Sequence, residues 1–258
     1  MKARIKFTKA GSMKFIGHLD IMRYFQKAFR RSEVEVEYSQ GYSPHQLISF
    51  AAPLGVGLTS EAEYLDMQLS SCKSSKEMID QINAVMSEGI RVVGFKELSD
   101  DSKNAMSIVA AADYLVSLKD GYELVPDFIQ RFTEFYHQEH ITILKKTKKS
   151  EAEMDIKPFI YHITFDRVEF LKQVSKSTEL QETVADTYEN GNIVYMQLAT
   201  GSVTNIKPEL VMDAFCQYIG IPFNEYAYQY HRMEVYADLG TEDVRNLVSL
   251  DDLGTEVL

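Results

Sequence analysis

Tryptophan is absent from the 258 residues, and there are only two cysteines, Cys72 and Cys216, far apart and without metal-type spacing. Two isolated thiols exclude a disulfide framework and a cysteine-held zinc site, and point to free thiols in a reducing cytoplasm. The chain has no three-cysteine set for an iron–sulfur cluster, no Gly-rich Walker or dinucleotide fingerprint and no Gly-x-Ser-x-Gly. These absences argue against a redox or radical enzyme acting alone, and no cofactor or metal is expected. No apolar run approaches the about 20 residues needed to span a bilayer, so no membrane partner is expected. The start, Met1-Lys2-Ala3-Arg4-Ile5, turns polar at Lys6 and lacks the apolar core of a signal peptide, which predicts a cytoplasmic protein.

What is present is a well-packed composition, 45% apolar with 15 Tyr and 14 Phe, ample for one large domain or two small ones. The net charge of −11 conceals a polarity. Residues 1–31 hold nine Lys or Arg against the single acid Asp20, a net +8, so the remainder carries −19. An acidic body with one basic end can steer a polyanion to that end.

Periodicity orders the chain. Residues 3–9 alternate, with Ile5 and Phe7 on one face and Arg4, Lys6 and Thr8 on the other, as in a half-buried strand. From His18, the residues Leu19, Met22, Phe25, Ala28 and Phe29 recur at helical spacing, and Arg23, Lys27, Arg30 and Arg31 form a basic stripe opposite them. Strands are expected at 34–38, 46–52, 62–69 and 90–95. A helix is expected after Ser74 or Ser75, with Glu77 completing a cap. The order β-α-β-β-α-β is the ferredoxin-like split arrangement. A polar break at 99–104 precedes a second run: strand 108–118, helix from Pro126, a hairpin at 141–156 with a basic tip, strand 193–199 and helix 208–219. The expected fold is therefore α+β, two ferredoxin-like halves in tandem, the second irregular with an insertion at 160–190. The expected domains are 1–98 and 105–221, followed by a Tyr-rich then acidic tail at 222–258 whose last ten or so residues are loosely held.

The stretch 15–66 concentrates the residues suited to chemistry. His18 and His45 are the acid–base candidates, since free imidazole titrates at about pH 6.5 and serves either role. Beside Arg23 and Arg30, such a pair suits metal-independent RNA cleavage; the plainer reading has His18 closing the helix start and His45 completing a loop anchored by Pro44. A metal site built from His18, Asp20, His45 and Asp66 is a weaker alternative, because His-x-Asp spacing is common by chance. Lys6, Arg23, Lys27, Arg30, Arg31, Lys145, Lys146 and Lys148 read as phosphate contacts. Tyr38 and Tyr42 offer stacking faces for bases, the usual complement of a cationic groove. Ser39, Asp20 and Asp66 complete the polar set.

Taken together, His18-Leu19-Asp20 with Arg23 and Arg30-Arg31, then Tyr38-Ser39-Gln40-Gly41-Tyr42-Ser43-Pro44-His45 and Ile48-Ser49-Phe50-Ala51, resemble the bacterial radical-SAM-linked protein family. Glu63 and Asp66 fit the same pattern, and Asp155-Ile156-Lys157-Pro158 resembles a second family segment. The chain departs from the pattern at Gly17, where Ser is usual, and at Ser43 and Gln46, where Asn and Pro are common. The resemblance implies a cytoplasmic bacterial protein linked in function to a radical SAM enzyme; it implies no mechanism. Three functions compete. The first is an RNA-binding accessory protein that presents tRNA or rRNA to a radical SAM partner. The second is a protein–protein adaptor of that partner, and the third a metal-independent ribonuclease or RNA-modifying enzyme using His18 and His45. Whether the chain is an enzyme is left open.

Overall fold

The computed structural model describes all residues except 124, 147–150, 177–182, 203 and 242–243, and leaves the side chains of 145–146 and 151–152 undescribed. In chain order the elements are β1 Lys2–Lys9, α1 His18–Arg31, β2 Ile48–Phe50, β3 Thr59–Gln68, α2 Ser75–Asn83, β4 Ile90–Leu98, α3 Ala105–Ile108, β5 Val109–Leu118 and α4 Phe128–Tyr136. They continue with β6 Thr142–Lys146, β7 Glu151–Asp155, β8 Ile160–Thr164, α5 Arg167–Gln173, β9 Ile193–Ala199, α6 Pro208–Tyr218, β10 Tyr228–Asp238 and β11 Leu247–Ser249. Among the described residues this is a mixed α+β protein with six helices, a nine-stranded sheet and a separate two-stranded hairpin. The chain divides into two compact units. One comprises Met1–Ala111, Thr183–Ala185 and Arg232–Leu258; the other comprises Ala112–Glu182 and Asp186–His231.

In the first unit the strands run β4-β1-β3-β10, with β2 added to β3 and β11 to β10. The pairs β1/β3, β1/β4, β2/β3 and β10/β11 are antiparallel. The period-two alternation of β1 sends Ala3, Ile5 and Phe7 into a core shared with Ile21, Phe25 and Phe29 of α1 and Met78 and Ile82 of α2. Phe7, Phe25 and Phe50 form its aromatic centre, with Phe7 and Phe25 ring centroids 4.6 Å apart and Phe50 meeting both near edge-on. Each such buried side chain stabilises the fold by roughly 1.5–3 kcal/mol relative to exposure. The start of α2 is the reciprocal cap its sequence calls for: the Glu77 amide donates to Ser74 Oγ, and Glu77 Oε2 accepts from the Ser74 amide.

The other face of β1 departs from expectation. It reads as a solvent-facing polar side, yet Arg4 is 1% exposed and Lys6 half-buried. The reason lies more than 200 residues away, where β10 and the turn at Leu250–Leu253 bring their own polar groups to this face. Arg4 Nη1 donates to the Leu250 carbonyl at 3.0 Å, and Lys6 Nζ lies 2.9 Å from Glu234 Oε2. Tyr64 donates its hydroxyl to Glu234 Oε1 at 2.5 Å, and Arg232 Nη1 grips both carboxylate oxygens of Glu63 and the Ala52 carbonyl. Buried charge is tolerable only when it is matched in this way.

The C-terminal residues are correspondingly held, not loose. Thr255 and Glu97 exchange backbone hydrogen bonds, and the Val257 amide donates to Ser75 Oγ. Gly254 permits this approach, because a Cβ there would lie 2.8 Å from the Glu97 carbonyl oxygen. The expected strand at 34–38 reduces to isolated bridges, Val36 with Leu69 and Tyr38 with Gln46.

In the second unit β5, β9 and β8 are neighbours in that order, while β6 and β7 pair only with each other. The expected hairpin at 141–156 forms outside the sheet, and β5 also neighbours β10, whose residues up to His231 belong to this unit. Its core is a phenylalanine cluster, Phe128, Phe132 and Phe135 of α4 around Phe215 of α6. Within the expected insertion lie β8 and α5, the latter capped by Asp166 Oδ1 accepting from the Glu169 amide at 2.7 Å.

Asp251 supplies a pH test of the covered polar face. Burial pushes its carboxyl above the usual range, against the pull of Lys6 and Lys96, and its Oδ1 is buried without a hydrogen-bond partner among the described residues. A raised folded pKa contributes stability that is present below the unfolded value, about pH 4, and is lost as pH rises through the folded value. Asp251→Asn removes this loss. Urea denaturation is expected to show the variant gaining stability over the wild type at pH 7 but not at pH 4.

Candidate functional site

Lys9 sets the entry to α1. Although almost fully buried, its ammonium donates to the Ile16 and Lys14 carbonyls, closing the turn that precedes His18. Burial lowers its pKa, opposed by Glu63. His18 then lies at the first turn of α1, half-buried, its ring edge-on to Phe50 at 5.3 Å. Across the helix, Arg23, Lys27, Arg30 and Arg31 are exposed. Arg23 reaches Asp20 at 3.4 Å, an exposed pair of little energetic weight. Arg31 donates to the Val85 carbonyl, whereas Lys27 and Arg30 make no hydrogen bond or ion pair among the described residues. Lys6, expected as a phosphate contact, instead has its charge matched by Glu234 and lies over the Tyr64 ring.

The loop from 38 to 46 closes on itself. Ser39 N donates to the His45 carbonyl, His45 N donates to Ser39 Oγ at 3.1 Å, and His45 Nδ1 lies 2.8 Å from the same oxygen. Gly41, at φ +116°, allows the reversal at its tip. This holds Tyr42 fully in solvent and leaves Tyr38 45% exposed. Ser39 thus orients His45.

Beside this loop lies a cleft of about 320 Å³, lined by residues of the β1 start, the 45–49 segment, β3, Leu98 and the 102–104 segment. His45, Gln46, Ser49 and Asp66 line it, with Lys2, Lys103 and Asn104 opposite in the chain. Among the described residues Asp66 is the one carboxylate of the lining, and both its oxygens accept hydrogen bonds. Oδ1 accepts from Arg4 Nε at 2.7 Å; Oδ2 accepts from Arg4 Nη2 at 3.1 Å and from the Ala105 amide at 2.7 Å. Asn104 caps α3 by accepting from the Met106 amide and also accepts from Ser49 Oγ. Gln46, 4% exposed, keeps Oε1 without a hydrogen-bond partner among the described residues. Such a group costs of order 1–3 kcal/mol.

His45 and Asp66 therefore share the cleft, while His18 is not among its lining residues. No group of three or more His, Cys, Asp or Glu among the described residues is placed to hold a metal, so His18, Asp20, His45 and Asp66 do not form one. Lys145 and Lys146 lie on β6 with side chains outside the described set, and Lys148 lies outside the described residues. Gln46, Lys2, Lys103 and Asn104 were missed in the sequence. The available signal for Asn104 was an Asn just before a short apolar run; for Gln46 there was none. Residues 2–208 match the family described as "Uncharacterized protein conserved in bacteria (DUF2344)". The chain belongs to that family. No curated protein matches the DUF2344 chain. Among its described residues no helix is long and apolar enough to cross a membrane.

The Arg4–Asp66 pair that forms the cleft wall is open to a direct test. Asp66→Ala leaves a buried guanidinium uncompensated and the Ala105 amide without its acceptor, and is expected to cost about 3–5 kcal/mol in equilibrium unfolding.

Proposed function

We propose that this chain is a cytoplasmic RNA-binding accessory protein that presents an RNA substrate to a radical SAM enzyme. The observation that carries the reading is the exposed basic stripe of α1, Arg23, Lys27, Arg30 and Arg31, together with solvent-facing Tyr38 and Tyr42. Exposed cations, of which Lys27 and Arg30 have no side-chain partner among the described residues, suit phosphates, and exposed rings suit unstacked bases. The radical SAM partner rests on the resemblance carried by His18-Leu19-Asp20, Arg30-Arg31 and the 38–51 segment. For the first half, a ferredoxin-like reading is supported by the strand order β4-β1-β3-β2 with antiparallel neighbours.

A protein–protein adaptor is the second reading, favoured by Phe15, Leu19 and Val56, large apolar side chains left exposed in the region before and after His18. The ribonuclease alternative has no comparable support, since His18 and His45 do not line one cleft.

Filter binding of tRNA and rRNA fragments across a salt series tests the RNA reading. Tight binding at low salt is expected, weakening steeply as salt rises. Arg23→Glu combined with Arg30→Glu is expected to flatten the log–log slope by about 0.7 or more per lost contact. Absence of low-salt binding, or indifference to the double substitution, overturns the reading. Retained co-purification with a radical SAM partner, lost in Leu19→Asp, would then identify the adaptor.

A further inference from the structure

We propose that the cleft beside residues 45–49 receives the base of one unpaired nucleotide in the bound RNA; this rests on the RNA-binding reading and names what that surface recognises. Its volume of about 320 Å³ lies at the lower end of the range of small-ligand pockets. The lining is polar in a specific way. Gln46 Oε1 is an acceptor still lacking a donor, and Asn104 has its Oδ1 committed to Met106 N and Ser49 Oγ, which leaves its amide Nδ2 as a donor. Once Gln46 Oε1 is turned into the cleft, it and the Asn104 donor complement a nucleobase edge, which carries both functions side by side.

The charges agree. Lys2 and Lys103 are the ammonium groups of the lining, and the one carboxylate, Asp66, is matched by Arg4 and the Ala105 amide. Lys2 Nζ donates to the Asp100 and Ser102 carbonyls, so Lys103 is the ammonium of the lining that a ribose-phosphate meets. Gln46 Oε1 is nearly closed off in the unliganded chain, so engagement requires rotation about its last side-chain bond, a torsion that is broad and soft in glutamine.

Fluorescence anisotropy with short labelled single strands decides the matter: homopolymers of A, C, G and U, and an abasic ribose-phosphate strand of equal length, all at one salt concentration. The wild-type chain is expected to bind at least one homopolymer about tenfold more tightly than the abasic strand. Gln46→Met, close in volume and without the acceptor, is expected to remove that preference while leaving abasic binding and the melting midpoint unchanged or raised. Lys103→Ala, on an exposed side chain, is expected to weaken every strand a few-fold and serves should Gln46→Met fail to fold. Equal affinity of the wild type for base-bearing and abasic strands, or a base preference that survives Gln46→Met, overturns the cleft inference and leaves the RNA reading standing. No binding of any strand at low salt overturns both.

Discussion

Arg4 and Asp66 face each other across β1 and β3, and their ion pair, closed to solvent, is the point at which four parts of the first unit meet. The guanidinium holds the Asp66 carboxylate with two hydrogen bonds and the Leu250 carbonyl with a third, while the carboxylate receives the amide that opens α3. Removing two such charges from water costs several kcal/mol per ion, and only near-complete hydrogen bonding offsets it. The geometry meets that demand, and in doing so fixes both the wall of the cleft and the seat of the C-terminal turn. The shape of the cleft and the stability of the unit here share one pair of side chains.

The same accounting changes the meaning of the basic end. Of the nine Lys and Arg in the first 31 residues, Arg4, Lys6 and Lys9 have their charges or donors satisfied inside the protein. The field that a polyanion meets comes from the others, chiefly the α1 stripe. Burial of Glu63 raises its carboxyl pKa even beside Arg232, and burial places the Tyr64 hydroxyl well above its usual range. The covered face of the sheet is thus an internal polar layer, separate from the surface available to a partner.

What could be read in advance was local. The Ser74–Glu77 cap, the alternation of β1 and the amphipathic period of α1 depend on neighbours within a few residues, and the structure has them. What could not be read was long-range. Nothing in Arg4 or Lys6 announces that Leu250 and Glu234 will cover them, and alternation alone does not distinguish a polar face in water from one against another polar layer. The tail at 222–258 reads as a Tyr-rich then acidic segment because composition says nothing about pairing, yet it contains β10 and β11. By contrast, α5 was legible: Asp166 with Glu169 three residues later is an N-terminal signature overlooked among polar neighbours. In the candidate site, charge and turn residues pointed to the stretch 15–66, of which 45–49 and Asp66 line the cleft, but the cleft depends on residues 102–104 meeting residues 45–49, a contact with no sequence marker.

The closing of β1 by residues 234–250 bears on how the chain is made. A ribosome delivers β1 first and the covering residues last, at about 5–20 residues per second, so for the greater part of synthesis Arg4 and Lys6 have no lid. During that interval Arg4 already has Asp66 opposite it on β3, whereas Lys6 lacks Glu234. Once residues 234–250 are in place, Lys6 gains Glu234 and Arg4 gains the Leu250 carbonyl, and the α1 stripe stays exposed.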